Sequence, residues 1–170
     1  MAKGIIATVK ERKWSTGANV DFTLNLGSPR RWHKLPFVSK RVFIPLSETQ
    51  VAALGKLKRK WGEELGTCGF TVNHPKKLVT WYNFFPTGSK DQTRLPQQGI
   101  GTRVHQGIAQ FIAEHYADYK VTHTEDVFMD NSRKMQLSKM GINPDQPTHV
   151  QEYLQLVRAY VEKRKREGKW

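Results

Sequence analysis

The chain has 170 residues, an apolar fraction of 38% and a formal net charge of +13. This length fits a single domain with a sizeable core, and an aromatic content of 11% excludes a disordered chain. The one cysteine, Cys68, excludes an internal disulfide and is expected to be a buried thiol in a reducing compartment. Because no apolar run resembles a signal or a membrane span, the sequence predicts a cytoplasmic protein that does not bind membranes.

The positive charge is concentrated in the N-terminal third. Residues 1–60 contain 13 basic and three acidic residues, whereas residues 61–149 contain nine of each. Such a field attracts polyanions, so the sequence predicts nucleic acid or an acidic protein as a partner; a solvated face that serves solubility is the alternative. The candidate polyanion-binding residues are Arg30, Arg31, Lys34, Lys40 and Arg41.

Three strands are predicted before residue 45. Residues 4–10 and 19–25 have strand-like patterns, and the turn-forming residues 15–19 join them. A basic loop over residues 26–40 leads to a short strand at 41–44. This region, residues 1–45, is therefore expected to be the basic, β-rich part of the domain.

A helix and two more strands should follow. Ser47 and Gln50 have the spacing of a capping box, and the helix that they open is predicted to end at Gly66. Strands are predicted at 70–73 and 78–85. The apolar face of the predicted helix consists of Leu54, Leu57, Trp61 and Leu65.

A glycine loop then opens an amphipathic helix. Gly99 and Gly101 lie between the predicted strand and a helix whose core-facing stripe contains Val104, Ile108 and Phe111. A helix N-terminus has unpaired N–H donors and the positive end of the helix dipole, and glycine lets backbone approach a phosphate closely. The order of strand, glycine turn and helix therefore indicates an anion site.

The remaining chain alternates strand and helix. A strand is predicted at 119–124, then a helix capped by Asp130 or Asn131 that closes at Gly141 in a left-handed conformation. The last helix is expected to start with a capping box at residues 148–151 and to end in a basic run. The fold class is therefore α/β or α+β, with residues 1–170 forming one domain.

Two segments taken together resemble a known family. Gly99-Ile100-Gly101-Thr102 opens a helix, and Lys139-Met140-Gly141-Ile142 follows 40 positions after Gly101. Over roughly residues 77–142 this resembles the GNAT superfamily of acyl-CoA-dependent N-acetyltransferases. The resemblance implies a mixed central sheet flanked by helices, acetyl-CoA as co-substrate, no metal, and transfer of an acetyl group to an amine. Residues 148–168 would add a C-terminal helix.

The resemblance also implies site residues. In that family an R/Q-x-x-G-x-G/A loop holds the CoA pyrophosphate, and a base deprotonates the acceptor amine. The candidates for the base are His123 and Glu125, with neighbouring Asp126, although a packed histidine and solvated turn carboxylates are the plainer interpretations. The implied cofactor-binding residues are Gln97, Gln98, Gly99, Ile100, Gly101, Thr102, Arg103 and Asn131.

The sequence departs from that family at two positions. Pro96 occupies the place of the Arg or Gln of the loop, and Leu137 occupies the place of a tyrosine that can protonate the departing thiolate. Tyr153 and Tyr160 are possible replacements, but both fall on the apolar stripe of the last helix, where core packing is expected. A degenerate member of the family is therefore one interpretation of the chain.

A second interpretation belongs to another class. The basic N-terminal third, with its interleaved Trp14, Trp32 and His33, has the composition of a surface that tracks phosphates and stacks on bases. On this hypothesis the chain is a non-catalytic nucleic-acid-binding protein, or a structural component of a nucleoprotein or phage assembly.

Overall fold

The computed structural model describes residues 3–27, 40–56, 64–83, 99–124 and 131–168. Over these residues the chain forms one seven-stranded, mostly antiparallel sheet and four helices, so the predicted mixed α/β class is confirmed. No helix within these ranges combines the length and the apolar character needed to cross a membrane.

Strands and helices are interspersed along the chain. Across the sheet the strands lie in the order β3-β1-β2-β4-β5-β6-β7. The strands are β1 Gly4–Trp14, β2 Gly17–Gly27, β3 Arg41–Pro45, β4 Glu64–Asn73, β5 Leu78–Asn83, β6 Lys120–His123 and β7 Thr148–His149. The helices are α1 Glu48–Lys56, α2 Ile100–His115, α3 Asn131–Lys139 and α4 Val150–Arg166.

The first hairpin is longer than its sequence pattern predicts. β1 and β2 pair antiparallel from Gly4 with Gly27 to Trp14 with Gly17, so the turn shrinks to residues 15–16. Buried and partly exposed residues alternate over 5–9 of β1 and 18–26 of β2, so one face of the pair holds the core, whereas no residue of β1 from Lys10 to Trp14 is buried. The hairpin therefore extends as one regular ladder to its tip.

The core lies between that face and the helices α2 and α4. Phe22 and Phe111 meet edge to face at 5.2 Å between ring centroids, which joins β2 to α2. The predicted stripes of both helices are buried except for the half-buried Tyr160, and Cys68 is a buried thiol as expected. Burial of these apolar side chains contributes most of the free energy that holds the helices on the sheet.

A parallel pair interrupts the antiparallel sheet. β5 and β6 run parallel, with Leu78 beside Lys120 and Trp81 beside His123, and α2 is the helical segment between them. The strand–helix–strand order predicted from the glycine loop is thus present. The N-terminus of α2 follows β5 in the chain, and residues 84–98 between them lie outside the described residues.

Two predicted helix starts have different outcomes. At α1 the capping box is confirmed, because Gln50 N donates to Ser47 Oγ at 3.2 Å and Ser47 N donates to Gln50 Oε1 at 3.0 Å. At α4 the capping-box prediction is wrong: Thr148 belongs to β7, and Nδ1 of His149 accepts from Gln151 N at 3.2 Å. Strand pairing with β6 removes Thr148 from the cap.

The predicted length of α1 is also wrong. Leu65 and Gly66 lie in β4, paired to β2 around Leu24, rather than at the end of the helix. An apolar residue at helical spacing packs equally well from a strand, and the ladder with β2 decides the outcome. Leu57 and Trp61 lie outside the described residues.

Candidate functional site

The N-terminus of α2 has the backbone geometry of an anion cradle. Gly99 has φ = 79°, a left-handed conformation that favours glycine, and its carbonyl accepts the first helical bond from Arg103 N at 3.0 Å. The N–H groups of Ile100, Gly101 and Thr102 precede that bond, so the helix itself provides them with no carbonyl partner. Among the described residues, and apart from the adjoining residues and the helix backbone, no atom lies within 4 Å of a Cβ added at Gly101. Within the described part of the chain this first turn therefore has donors and space beside them.

Helix α3 braces this turn. Nε2 of Gln136 donates to Oγ1 of Thr102 at 2.8 Å, across 34 residues of sequence. The helix ends as predicted, with Gly141 at φ = 80° and Ile142 N bonded to Leu137 O at 2.9 Å. The Gln136–Thr102 bond thus joins the first turn of α2 to the helix that precedes the second segment of the family resemblance.

A buried polar cluster lies one turn further along α2. Nε2 of His105 is 2.6 Å from the Tyr153 hydroxyl, and that hydroxyl is 3.0 Å from Nε2 of His123. All three side chains are buried, and they come from α2, α4 and β6. The ring of Trp81, on β5, lies 5.2 Å from the ring of His105 and 5.9 Å from that of His123, centroid to centroid.

One hydroxyl links the two imidazoles. A neutral imidazole carries its proton on one ring nitrogen, and a tyrosine hydroxyl donates one hydrogen bond and can accept others. The Tyr153 hydroxyl can therefore donate to one of the two histidines and accept from the other, and the histidine tautomers decide which. The cluster forms a continuous hydrogen-bonded chain from β6 through α4 to α2.

The parallel strands are closed up to this cluster. Thr124 donates to the Trp81 carbonyl from its backbone N at 2.9 Å and from Oγ1 at 3.2 Å. Glu125 and Asp126 follow at once in the chain, outside the described residues.

The remaining predicted cofactor ligands fall in different places. Gln97 and Gln98 lie outside the described residues, and so does the side chain of Asn131, whose backbone begins α3. Arg103 is half-buried, and burial lowers the pKa of its guanidinium. It lines a cavity of about 340 Å³ between α2, β3 and the end of α4, together with Gln106 and Lys165.

The predicted polyanion-binding residues are only partly brought together. Arg30, Arg31 and Lys34 lie outside the described residues. Nζ of Lys40 forms an ion pair with Glu11 at 3.6 Å, and Arg41 pairs with Thr8 at the β1–β3 edge. Within the part of the chain that the structure describes, these two residues mark the β3 edge of the sheet.

Sequence reasoning missed the pairing of His105 with Tyr153. Tyr153 falls on the apolar stripe of α4, and its burial is confirmed, but the same side chain is also the bridge of the polar cluster. The signal available was a histidine within the otherwise apolar stripe of α2, one residue after Val104. A buried histidine needs a polar partner, and only the fold identifies which one.

Comparisons with known proteins found no relative: no protein-family model matches the chain, no curated protein matches it, and no solved structure matches it.

Proposed function

We propose that this protein is an acyl-CoA-dependent N-acetyltransferase of the GNAT type, which transfers an acetyl group from acetyl-CoA to an amine. The observation that carries the proposal is the first turn of α2. There a left-handed Gly99, an unobstructed Gly101 and successive N–H groups follow a strand of the parallel pair. A pyrophosphate is the ligand class that this arrangement suits, because it accepts several N–H bonds and carries charge opposite to the helix end.

The chemistry would occur beyond the carboxyl ends of β5 and β6. The acceptor amine loses a proton and attacks the thioester carbonyl; a C–N bond forms, the C–S bond breaks, and the thiolate takes up a proton. In this proposal the amine proton goes, directly or through one water molecule, to His123, whose buried side chain lies at the end of β6. General-base catalysis of this kind contributes about 10²–10⁴-fold in rate.

Tyr153 and His105 support that role. The hydrogen bond between Nε2 of His123 and the Tyr153 hydroxyl holds the imidazole in position, and the second bond, between that hydroxyl and His105, continues the network to α2. Glu125, the other candidate base, follows Thr124 in the chain and would act at the same end of the strands. Leu137, at the position of the family's acidic tyrosine, is fully buried in the core and supplies no proton.

The decisive measurement is thermal stability with and without acetyl-CoA. At 100 times its Kd a ligand stabilises the folded state by about 2.7 kcal/mol. Gly101→Glu should remove the shift, because its carboxylate would occupy the open space and repel a pyrophosphate. Gly101→Ala should retain it, since the family's loop accepts alanine there and no atom obstructs the new methyl group.

A matched control separates the site from general charge. Gln155 is exposed on α4, so Gln155→Glu adds the same negative charge away from the first turn of α2 and should leave the shift intact. No shift at millimolar acetyl-CoA in folded protein would contradict the proposal. An equal loss in Gln155→Glu and Gly101→Glu would show non-specific attraction to a basic protein.

A further inference from the structure

We propose that the sheet face opposite the helices α2 and α4 binds single-stranded nucleic acid, with one base stacked on Trp14. We define this outer face by Lys10, Arg12, Trp14, Asn19 and Thr71. The proposal is independent of the acetyltransferase site, whose histidines and tyrosine lie on the core side.

The register of the sheet brings these side chains to one side. Alternate residues of a strand share a face, so Lys10, Arg12 and Trp14 line β1 opposite the buried Val9. Arg12 pairs with Asn19 of β2, and Asn19 pairs with Thr71 of β4. The outer face is thus a continuous polar and basic strip across three strands.

Trp14 is a preformed stacking surface. Its side chain is 44% exposed although it lies within a regular ladder. Its partner across the ladder is Gly17, and a Cβ there would be 3.2 Å from Cε2 and Cζ2 of the indole. The indole therefore lies against the backbone of a residue without a side chain, and part of its surface remains open to solvent.

The charges beside the indole favour an anion. Lys10 and Arg12 are exposed on the same side of β1. Asp21 lies on the outer face too, opposite Lys10 in the ladder, and accepts a hydrogen bond from the Tyr82 hydroxyl. Glu11 lies on the other face of β1, where it forms ion pairs with Lys13 and Lys40 at 3.4 and 3.6 Å. Beside the indole, Lys10 and Arg12 therefore outnumber the single carboxylate of Asp21.

Polar groups complete the strip. Oγ1 of Thr71 donates to Oδ1 of Asn19 at 3.0 Å. Because this bond engages the amide oxygen, the NH₂ group of Asn19 is the part of the amide that can donate to a ligand. A sheet that presents an aromatic ring, a guanidinium and amide donors on one face can stack an unpaired base and bind its phosphates. Duplex bases are already stacked, and acidic peptides have no base to stack, so a single strand fits best.

The test measures binding of fluorescently labelled oligothymidylate and oligouridylate of about 15 nucleotides, within the site size of one domain. Trp14→Ala should weaken binding about 5- to 150-fold, as expected for loss of one stacked base. Trp14→Tyr should restore most of the affinity. Comparison of the two oligonucleotides distinguishes DNA from RNA as the source of the strand.

The charge arm uses matched single substitutions. Arg12→Gln should weaken binding and reduce the slope of log K against log salt by about 0.7, the contribution of one phosphate contact to a single strand. Lys163→Gln removes one exposed charge at the far end of α4 and should leave both affinity and slope near those of the unmodified protein. If Trp14→Ala does not fold, the proposal is tested by whether Arg12→Gln loses more affinity and salt dependence than Lys163→Gln.

Three results would overturn the proposal. One is the absence of oligonucleotide binding at low salt. Another is binding that neither Trp14→Ala nor Arg12→Gln weakens. The third is competition by polyglutamate that is as strong as competition by the oligonucleotide at equal charge, with polyglutamate binding unchanged in Trp14→Ala. That result would assign the face to an acidic protein.

Discussion

The hydroxyl oxygen of Tyr153 lies 3.0 Å from Nε2 of His123, so that a side chain of α4 is hydrogen-bonded to the end of β6 in the interior of the protein. The same oxygen lies 2.6 Å from Nε2 of His105 on α2. One hydroxyl therefore joins three elements. Its removal tests both the stability and the proposed chemistry of the cluster.

Tyr153→Phe should lower the free energy of unfolding by about 1–3 kcal/mol, because two buried imidazoles lose a hydrogen-bond partner while the ring packing stays the same. Urea unfolding measures this change. Tyr160→Phe is the control, since the Tyr160 hydroxyl accepts from Arg164 at 3.3 Å in a half-buried position and should cost less than about 1 kcal/mol. Equal effects of the two substitutions would contradict a special role for the Tyr153 bridge.

Two glycines of α2 should respond in opposite ways to alanine. At Gly101 the new Cβ meets nothing, so Gly101→Ala should stabilise the protein by about 0.5–1 kcal/mol through helix propensity. At Gly107 the Cβ would lie 2.8 Å from Cγ1 of the buried Ile44, so Gly107→Ala should destabilise it by about 1–3 kcal/mol. Thermal unfolding of both variants checks the packing of α2 on β3, and a stabilised Gly107→Ala would refute it.

The end of α3 supplies another test. Gly141 has φ = 80°, and a Cβ there would meet Cδ2 of Leu156 at an ordinary 3.7 Å, so conformation rather than space restricts this position. Gly141→Ala should cost about 1–2 kcal/mol, the penalty for a side chain in the left-handed region. Gly141→Asn should cost less, because asparagine adopts that region more readily. Denaturant midpoints of the two variants should differ in that order.

The raised pKa of Tyr82 predicts a loss of folding stability at high pH. Burial, followed by its hydrogen bond to Asp21, raises the pKa of Tyr82 above its ordinary value of 10.0. Because the folded-state pKa is the higher one, the stabilisation is complete below about pH 10 and is lost as the pH rises from there toward the folded-state value. Between about pH 8 and 11, the unmodified protein should lose more stability than Tyr82→Phe. Parallel curves for the two proteins would rule out this linkage.

Local signals predicted much of the fold. The capping box of Ser47 and Gln50, the left-handed Gly141 and the apolar stripes of α2 and α4 depend on interactions within a few residues, so the sequence contains them. Predictions failed where a distant strand competed for the same residues. Leu65 lies in β4 at the register shift opposite Leu24 and Asn25, and Thr148 pairs with Val121 of β6.

By itself, the sequence determined the glycine turn at the start of α2, the basic N-terminal third and the mixed class of the fold. Only the tertiary structure decided that Tyr153 bridges His105 and His123, that Gly107 packs against Ile44, and that Trp14 lies over Gly17. The physical reason is range: turns and caps are set by neighbours in the chain, whereas buried polar bonds and sheet faces are set by register between segments far apart in sequence.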